Sequence, residues 1–381
     1  ILNGKIELEN KYLFTNLNAF NASWELLEDG QVIQSGDFTA DDLDVAPVDD
    51  SLSEIKSYGK KILNVPFEKP ELKAGAEYFV NISFNLKEDT SWAKAGHEVA
   101  HGQIKVPFDV PSVGETDAKE IPEIETVETD DTVTVSGKEK DFTLEFNKKT
   151  GTIDSFIYEG KALLEKGPAP DFWRAPTDSD LGFYSGLELD TWRHAGADRK
   201  VESVNVEKSG NNMVTFTVKS TLPTTNESGY EQKFSVYGTG DVKVTSTLNP
   251  GEDLPMIPVV GNTLTLPKEF SHVTWYGKGP DENYIDRQSG YEVGVYKKDV
   301  EDFFVDYIKP QETGNRTDTR WVSITNDDGV GLLAKAETDT PIEFSALYYT
   351  AEDLSNALHS YQLEDKDNVI LRLNQRQMGV G

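Results

Sequence analysis

Cysteine is absent from the 381 residues, which excludes disulfides, thiolate nucleophiles, cysteine-ligated zinc and iron–sulfur clusters together. Cysteine avoidance fits cytosolic and some secreted proteins alike, so it assigns no compartment. Positive charge is in short supply: 37 Lys and Arg against 67 Asp and Glu give 37 − 67 = −30, a potential that repels phosphate backbones and anionic headgroups. Nucleic acid and membrane surfaces are therefore poor partners. No window approaches the ~18 apolar residues of a membrane span. The opening Ile1–Glu7 shows no basic region followed by an apolar stretch, so no secretory signal is read there. Nor does the chain open on Met; the expectation is a piece of a longer protein, with any targeting signal on the missing part.

What is present is enough to fold. Hydrophobic residues make up 37%, with 18 Phe, 15 Tyr and 6 Trp, which supports a sizeable core and rules out a disordered acidic polymer. The length predicts two or three domains. Hydrophobic periodicity is almost everywhere that of a strand: Tyr78, Val80, Ile82, Phe84 and Leu86 alternate with mostly polar neighbours, as do Phe142, Leu144, Phe146 and Val214, Phe216, Val218. Turn signals punctuate these runs at Asp29-Gly30, Gly238–Asp241 and Asn326–Gly329. Helical turns are expected only in short pieces, such as Ala351–Leu358.

Residues 111–131 hold Pro111, Pro122, eight carboxylates and one lysine without a hydrophobic period, the composition of an exposed acidic connector. The prediction is an all-β protein: residues 1–110 as an immunoglobulin-like sandwich, and residues 132–381 as one large antiparallel sandwich, since no repeat of a propeller or solenoid is visible.

His97-Glu98-Val99-Ala100-His101 matches the H-E-x-x-H pattern of zinc peptidases, whose mechanism needs a helix to put both imidazoles on one face. Gly96 and Gly102 bracket the motif, and Gln103–Phe108 reads as a strand. A surface strand is therefore expected and no metal site. His194, His272 and His359 are isolated in sequence, and no G-x-S-x-G, phosphate loop or dinucleotide fingerprint occurs. Asn-x-Ser/Thr triplets at Asn21, Asn81, Asn226 and Asn315 read as chance occurrences.

Three stretches carry a resemblance. Asp171–Gly182 (DFWRAPTDSDLG), Trp275–Arg287 (WYGKGPDENYIDR) and Tyr307–Arg316 (YIKPQETGNR) resemble, in order, signatures of the C-terminal sandwich of glycoside hydrolase family 2 β-galactosidases, the last departing at Thr313 where the pattern has Asn. Lys11–Phe14 and Ala95–Glu98 resemble the immunoglobulin-like domain that precedes it. The resemblance implies a large sandwich of the galactose-mutarotase type after the immunoglobulin-like domain. It also implies that both catalytic glutamates of a retaining mechanism lie in a (β/α)₈ barrel outside this chain. No catalytic residue, metal or cofactor is then expected here, although family members often use Mg or Na in other domains. The implied partners are the barrel and remaining domains of the same enzyme, with galactoside reached indirectly and a homo-oligomeric parent left open. The parent would be bacterial, cytoplasmic or secreted to the cell surface. In the family, Gln-Met-Gly-Val-Gly continues into Gly-Asp-Asp-Ser-Trp, whose tryptophan stacks near the sugar; ending at Gly381, this sandwich is expected to lack its last strands.

Within the motifs, Arg174, Asp178 and Asp180 read as an Arg–Asp brace of a loop, substrate-proximal in the parent, with Gly182–Asp190 near the pocket mouth. Glu282, Asn283, Asp286 and Arg287, with Trp275 and Tyr276 as stacking rings, allow a sugar contact, but core and turn architecture is the preferred reading. A galactoside-binding module is the alternative function. Anomer interconversion by His272 and Glu282 has only fold analogy behind it.

Overall fold

The computed structural model describes residues 1–47, 59–114, 120–183, 189–338, 340–364 and 366–381. Two units result, one of residues 1–115 with 292–295, the other of 116–291 and 296–381.

The first unit contains β1 (Lys5–Asn10), β2 (Phe20–Glu28), β3 (Gln31–Asp37), β4 (Gly59–Asn64), β5 (Tyr78–Leu86) and β6 (Glu98–Lys105). These pair as a four-stranded antiparallel sheet in the order β3-β2-β5-β6 and as a two-stranded sheet β1-β4, an immunoglobulin-like sandwich. Asp29 and Gly30 turn β2 into β3 with φ of 47° and 77°, the mirror-image turn that suits right-handed strand twist. Alternation sends Tyr78, Val80, Ile82, Phe84 and Leu86 inward, where they meet Trp24 and Leu26. The strand β6 starts at Glu98, earlier than the Gln103–Phe108 run suggested, and so takes in most of H-E-x-x-H.

The second unit opens with β7 (Ile124–Glu128), β8 (Thr132–Gly137), β9 (Phe142–Asn147), β10 (Thr152–Tyr158) and β11 (Lys161–Leu164), one sheet in the order β11-β10-β9-β8-β7. The expected connector 111–131 is corrected by β7, which pairs with β8 from Ile124↔Gly137 to Glu128↔Val133. Its acidic residues suit a strand at the sheet's edge, where charge deters further pairing, and they masked its alternation. Residues 115–119 of that connector lie outside the described residues.

Next come β12 (Lys166–Asp171), α1 (Asp178–Phe183), and the meander β13 (Lys200–Ser209), β14 (Met213–Leu222), β15 (Ser228–Tyr237) and β16 (Val242–Asn249). The remaining strands are β17 (Val259–Pro267), β18 (His272–Gly279), β19 (Glu292–Asp299), β20 (Arg316–Thr319), β21 (Trp321–Thr325), β22 (Gly331–Lys335), β23 (Ile342–Leu347) and β24 (Asn368–Gln377), with α2 (Ala351–Asn356) before the last. They form the sheets β19-β18-β21-β22 and β12-β17-β24-β23-β20. One hydrophobic cluster gathers Phe146, Phe216, Phe234, Trp275, Phe344 and Leu371; the Phe146 and Phe216 rings stack at 4.1 Å. This is the large antiparallel sandwich.

The sheet containing β24 has two unlike faces. Leu264, Phe344, Ala346, Val369 and Leu371 join the core cluster. The other face carries a polar row, since Asp171 pairs with Gly261, Gly261 with Asn374, and Asn374 with Glu343. Arg372, two residues along, stands opposite Ser345, and Arg372, Asn374, Glu343 and Ser345 are all buried. A Cβ at Gly261 would approach Asn374 Oδ1 to 2.1 Å, so glycine is required beside that amide.

Candidate functional site

Buried polar groups converge where loops cover this polar face. Arg174 is 1% and Asp180 6% exposed. Arg174 Nη2 donates to Asp180 Oδ1 at 2.9 Å and Oδ2 at 3.0 Å, and to the Gly379 carbonyl at 2.6 Å, while Nη1 donates to the Met378 carbonyl at 2.5 Å. Asp180 Oδ2 also accepts the Thr177 N–H at 2.9 Å, and Thr177 Oγ1 accepts the Asp180 N–H at 3.1 Å. The first turn of α1 is thereby locked to the guanidinium, and the end of β24 is held by the same group. Asp178 is exposed; its N–H donates to Gln311 Oε1 at 3.1 Å.

A second buried guanidinium, Arg372, reaches Asp171 Oδ2 at 3.0 Å and Glu312 Oε2 at 3.2 Å, and donates to the Trp173 carbonyl. Burial raises the Glu312 carboxyl above the usual range, opposed by Arg372 and Arg174.

Glu282 anchors the third motif. Its Oε1 accepts from Arg287 Nη2 at 2.6 Å and from the Tyr307 hydroxyl; its Oε2 accepts the Gly314 N–H at 2.9 Å and Thr313 Oγ1 at 3.3 Å. Burial pushes this carboxyl up, but Tyr307, Gly314 and Arg287 outweigh it and leave it below its ordinary value. The Tyr307 hydroxyl is pushed up to about 12 by burial and by that carboxylate. Gly314 sits at φ 80°, and a Cβ there would come 2.7 Å from the Phe303 carbonyl. Asn283 Oδ1 accepts from the Thr317 N–H at 2.8 Å and the Thr317 hydroxyl at 2.5 Å, tying the turn to β20. Asp286 is exposed and accepts the Val380 N–H at 3.0 Å and the Gly381 N–H at 2.8 Å.

Trp275 is wholly enclosed by Tyr296, Phe303 and Phe344, with the Arg316 guanidinium 5.3 Å from its ring centroid. Tyr276 is also buried, beside Trp321 and beneath Arg320. A sugar has no access to either face, which corrects the stacking alternative. Arg316 donates to the carbonyls of Pro280, Gly314 and Asn315, and burial lowers its pKa to about 10.

Of the residues singled out in the motifs, Asp178, Asp286 and Arg287 line one cleft of about 480 Å³ together with Tyr284, Tyr307, Gln311 and Glu312; Arg174, Asp180 and Glu282 do not line it but hold residues that do. Of the loop expected at a pocket mouth, residues 184–188 lie outside the described residues. Sequence reasoning missed Arg372, Glu343 and Asn374. For Arg372 and Asn374 the signal was the run Asn368–Gln377, where they alternate with Leu371 and Leu373 in a strand too apolar at its start to be solvated; Glu343, in β23, sits in a run of its own with Phe344, Ala346 and Leu347.

The strand expected at His97–His101 is what forms over most of the motif, against the zinc-peptidase alternative. His101 stands in β6 with Nδ1 2.9 Å from Glu98 Oε1, and His97 packs edge-on to Trp92. Extended backbone sets residues four apart at roughly 13 Å, too far for two imidazoles to share one ion as they do one turn apart on a helix, and His97 lies just before the strand. Among the described residues no group of three or more His, Asp or Glu is arranged to hold a metal.

His272 bridges two carboxylates, Nδ1 to Asp299 Oδ1 at 2.6 Å and Nε2 to Asp327 Oδ1 at 2.8 Å. Both nitrogens donate only in the imidazolium, and the hydrogen bonds to Asp327 and Asp299 raise its pKa above 6.5. A raised folded-state pKa means stability fully present below the unfolded value and lost as pH rises through the folded one. His272→Gln should therefore lower the melting temperature at pH below 6 and leave it unchanged in alkali. The loss should stay under about 1 kcal/mol because the groups are exposed; melting curves across pH check this.

The architecture is all-β, two antiparallel units of which the second carries a heavily braced polar cleft. A family model described as "Beta galactosidase small chain" matches residues 138–381, and one described as "Beta-galactosidase, domain 4" matches residues 6–107; the chain belongs to the β-galactosidase small-chain family. A β-galactosidase of Priestia megaterium is 37% identical over 380 residues, covering 99% of this chain and 35% of the relative. One of Halalkalibacterium halodurans is 32% identical over 386 residues, covering 98% and 35%. The chain thus spans about a third of the length of the curated relatives it matches. Among solved structures, a mutarotase-like protein of Salmonella typhimurium aligns at 12% identity and a TM-score of 0.28, over 66% of this chain and 85% of that one, too distant a likeness to add to what the sheets themselves display.

Proposed function

We propose that these two sandwiches are non-catalytic domains of a retaining β-galactosidase, in which they support a catalytic barrel, shape its pocket rim and serve assembly. The parent would hydrolyse terminal β-D-galactosides such as lactose. The observation that carries this reading is the state of the carboxylates around the cleft. A retaining glycosidase needs two carboxyls about 5–5.5 Å apart, one of them free to attack the anomeric carbon. Here Asp180 is taken by Arg174, Glu312 by Arg372 and Glu282 by Arg287, and Asp286 accepts two backbone N–H groups. Such groups brace loops; they do not attack. Asp178, exposed on the cleft wall and touched, among the described residues, only by the Gln311 amide, is left as a single free carboxylate where the mechanism needs a pair. The relatives' descriptions as β-galactosidases supply the reaction and the substrate class.

The test is the turnover of a chromogenic β-galactoside by this chain alone. No release above the buffer rate is expected. Release that survives purification and disappears with Asp178→Ala would place chemistry in the cleft and overturn the proposal.

A further inference from the structure

We propose that the apolar pocket between β1 and β6, with the Phe14 ring beside it, is the surface on which another domain of the parent enzyme docks. The partner's identity rests on the β-galactosidase reading; the surface itself is read from the first unit alone.

The strand β6 ends the four-stranded sheet and β1 pairs only with β4, so among the described residues no strand joins β6 to β1. At this open side Leu8, Leu17, Phe20, Phe84, Val99 and Ala100 line a pocket of about 290 Å³. Leu17, Phe20 and Phe84 belong to the hydrophobic core of the unit, so the pocket leads from the surface to the core. Its rim is the loop after β1, where Lys11 and Tyr12 line the opening. The next two side chains face water: Leu13 is 49% and Phe14 91% exposed.

That loop is fastened at both ends. Asn10, fully buried, donates from Nδ2 to the Thr15 carbonyl at 2.9 Å and to the Val45 carbonyl at 2.8 Å, and its Oδ1 accepts the Tyr12 N–H at 2.9 Å. Asn16 Oδ1 accepts the N–H groups of Asn18 at 3.0 Å and Val45 at 3.2 Å. The Tyr12 ring stacks on Phe20 at 5.5 Å. Hydrogen bonds thus hold Leu13 and Phe14 outward instead of letting them fold back onto the pocket. Contiguous exposed apolar side chains mark protein–protein contacts, and large aromatics carry much of the energy there.

Three occupants compete. A small molecule fits poorly, because the volume falls short of the ligand-pocket range of about 300–1,000 Å³ and Phe14 stands outside the lining. A second copy would bring together two chains of net charge −30 each, which repel. The parent's own chain remains: the Priestia megaterium relative is covered over only 35% of its length, so about two thirds of such a chain is available to pack against these sandwiches. The surface that fits presents one projecting apolar side chain to the pocket and a recess to Phe14.

Cysteine labelling tests this. The chain has no cysteine, so Phe14→Cys adds one thiol, and Val32→Cys, exposed on β3 at the opposite edge of the sheet, is the control. Both are made in the 381-residue chain and in a full-length hybrid in which this chain replaces the matching segment of the Priestia megaterium enzyme. Maleimide labelling followed by peptide mass spectrometry gives the rates. Phe14→Cys should label rapidly in the isolated chain and at least about tenfold more slowly in the hybrid, since thiol reactivity follows exposure and interface cores exclude solvent. Val32→Cys should label at one rate in both. Equal rates for Phe14→Cys in chain and hybrid would overturn the inference. So would labelling of the isolated chain that slows as its concentration rises, which would assign the surface to a second copy. Turnover of a chromogenic β-galactoside by the unsubstituted hybrid reports on the other reading. A hybrid that turns over but labels freely keeps the supporting role and loses the docking surface; one that is inert yet protected keeps the surface and loses the supporting role; one that is inert and labels freely loses both.

Discussion

Asp180→Ala is expected to cost on the order of 3–5 kcal/mol of unfolding free energy, the loss typical of leaving one member of a buried ion pair alone. Arg174 is the reason. It is almost fully buried, and its guanidinium donates three ways into the Asp180 carboxylate. Without that carboxylate, Arg174 keeps the Met378 and Gly379 carbonyls but no counter-charge, and Thr177 loses the acceptor of its N–H. Replacing both partners by apolar residues, as in Arg174→Met with Asp180→Leu, should cost less than Asp180→Ala, because no charge is then left buried. Urea denaturation of the three proteins measures this. An Asp180→Ala loss under about 1 kcal/mol, the scale of a surface pair, would show that the brace is solvated.

The second large effect concerns Glu343, which is 4% exposed. Burial lifts its carboxyl from 4.5 to about 7, against the Asn315 amide, Arg376 and the Gln377 backbone, with Glu312 adding to the rise. The folded state therefore binds the proton more tightly than the unfolded chain. Its contribution is fully present below pH 4.5 and is lost as pH rises through about 7. Glu343→Gln keeps an oxygen for the Asn315 amide, 3.2 Å away in the parent, and removes the charge. The variant should match the parent near pH 4 and exceed it near pH 8 by about 3 kcal/mol, the order given by the shift. Equal stability of the two proteins at both pH values would contradict the buried position of this carboxyl.

Local chemistry was legible in the sequence and distant pairing was not. Asp29-Gly30 announces its hairpin because positive φ at both positions leaves little else to such a dipeptide. The alternation from Tyr78 to Leu86 gives the inward face of β5. The flanking glycines already argued against a helix at His97–His101. Arg174 and Asp180 stand six residues apart in one motif, so their pairing was within reach of local reasoning. The Asp171–Arg372 bond joins residues 201 positions apart, brought together by the strand order β12-β17-β24, and Arg372–Glu312 joins residues 60 apart through the segment that precedes β20. The strand β7 was hidden by its own charges, since an edge strand needs little apolar signal. Trp275 and Tyr276 illustrate the opposite difficulty: an aromatic pair in a glycine-rich strand has the same composition in a core as in a sugar site, and burial alone separates them.

The most direct measurement is complementation. The Priestia megaterium β-galactosidase, stripped of the segment that matches this chain, would be assayed on a chromogenic β-galactoside alone, with its own excised segment, and with this chain. The account predicts little turnover alone, recovery with its own segment, and partial recovery with this chain, which should fall when Asp180→Ala is used instead. Full turnover by the stripped enzyme without any addition would contradict the claim that these sandwiches support the active site.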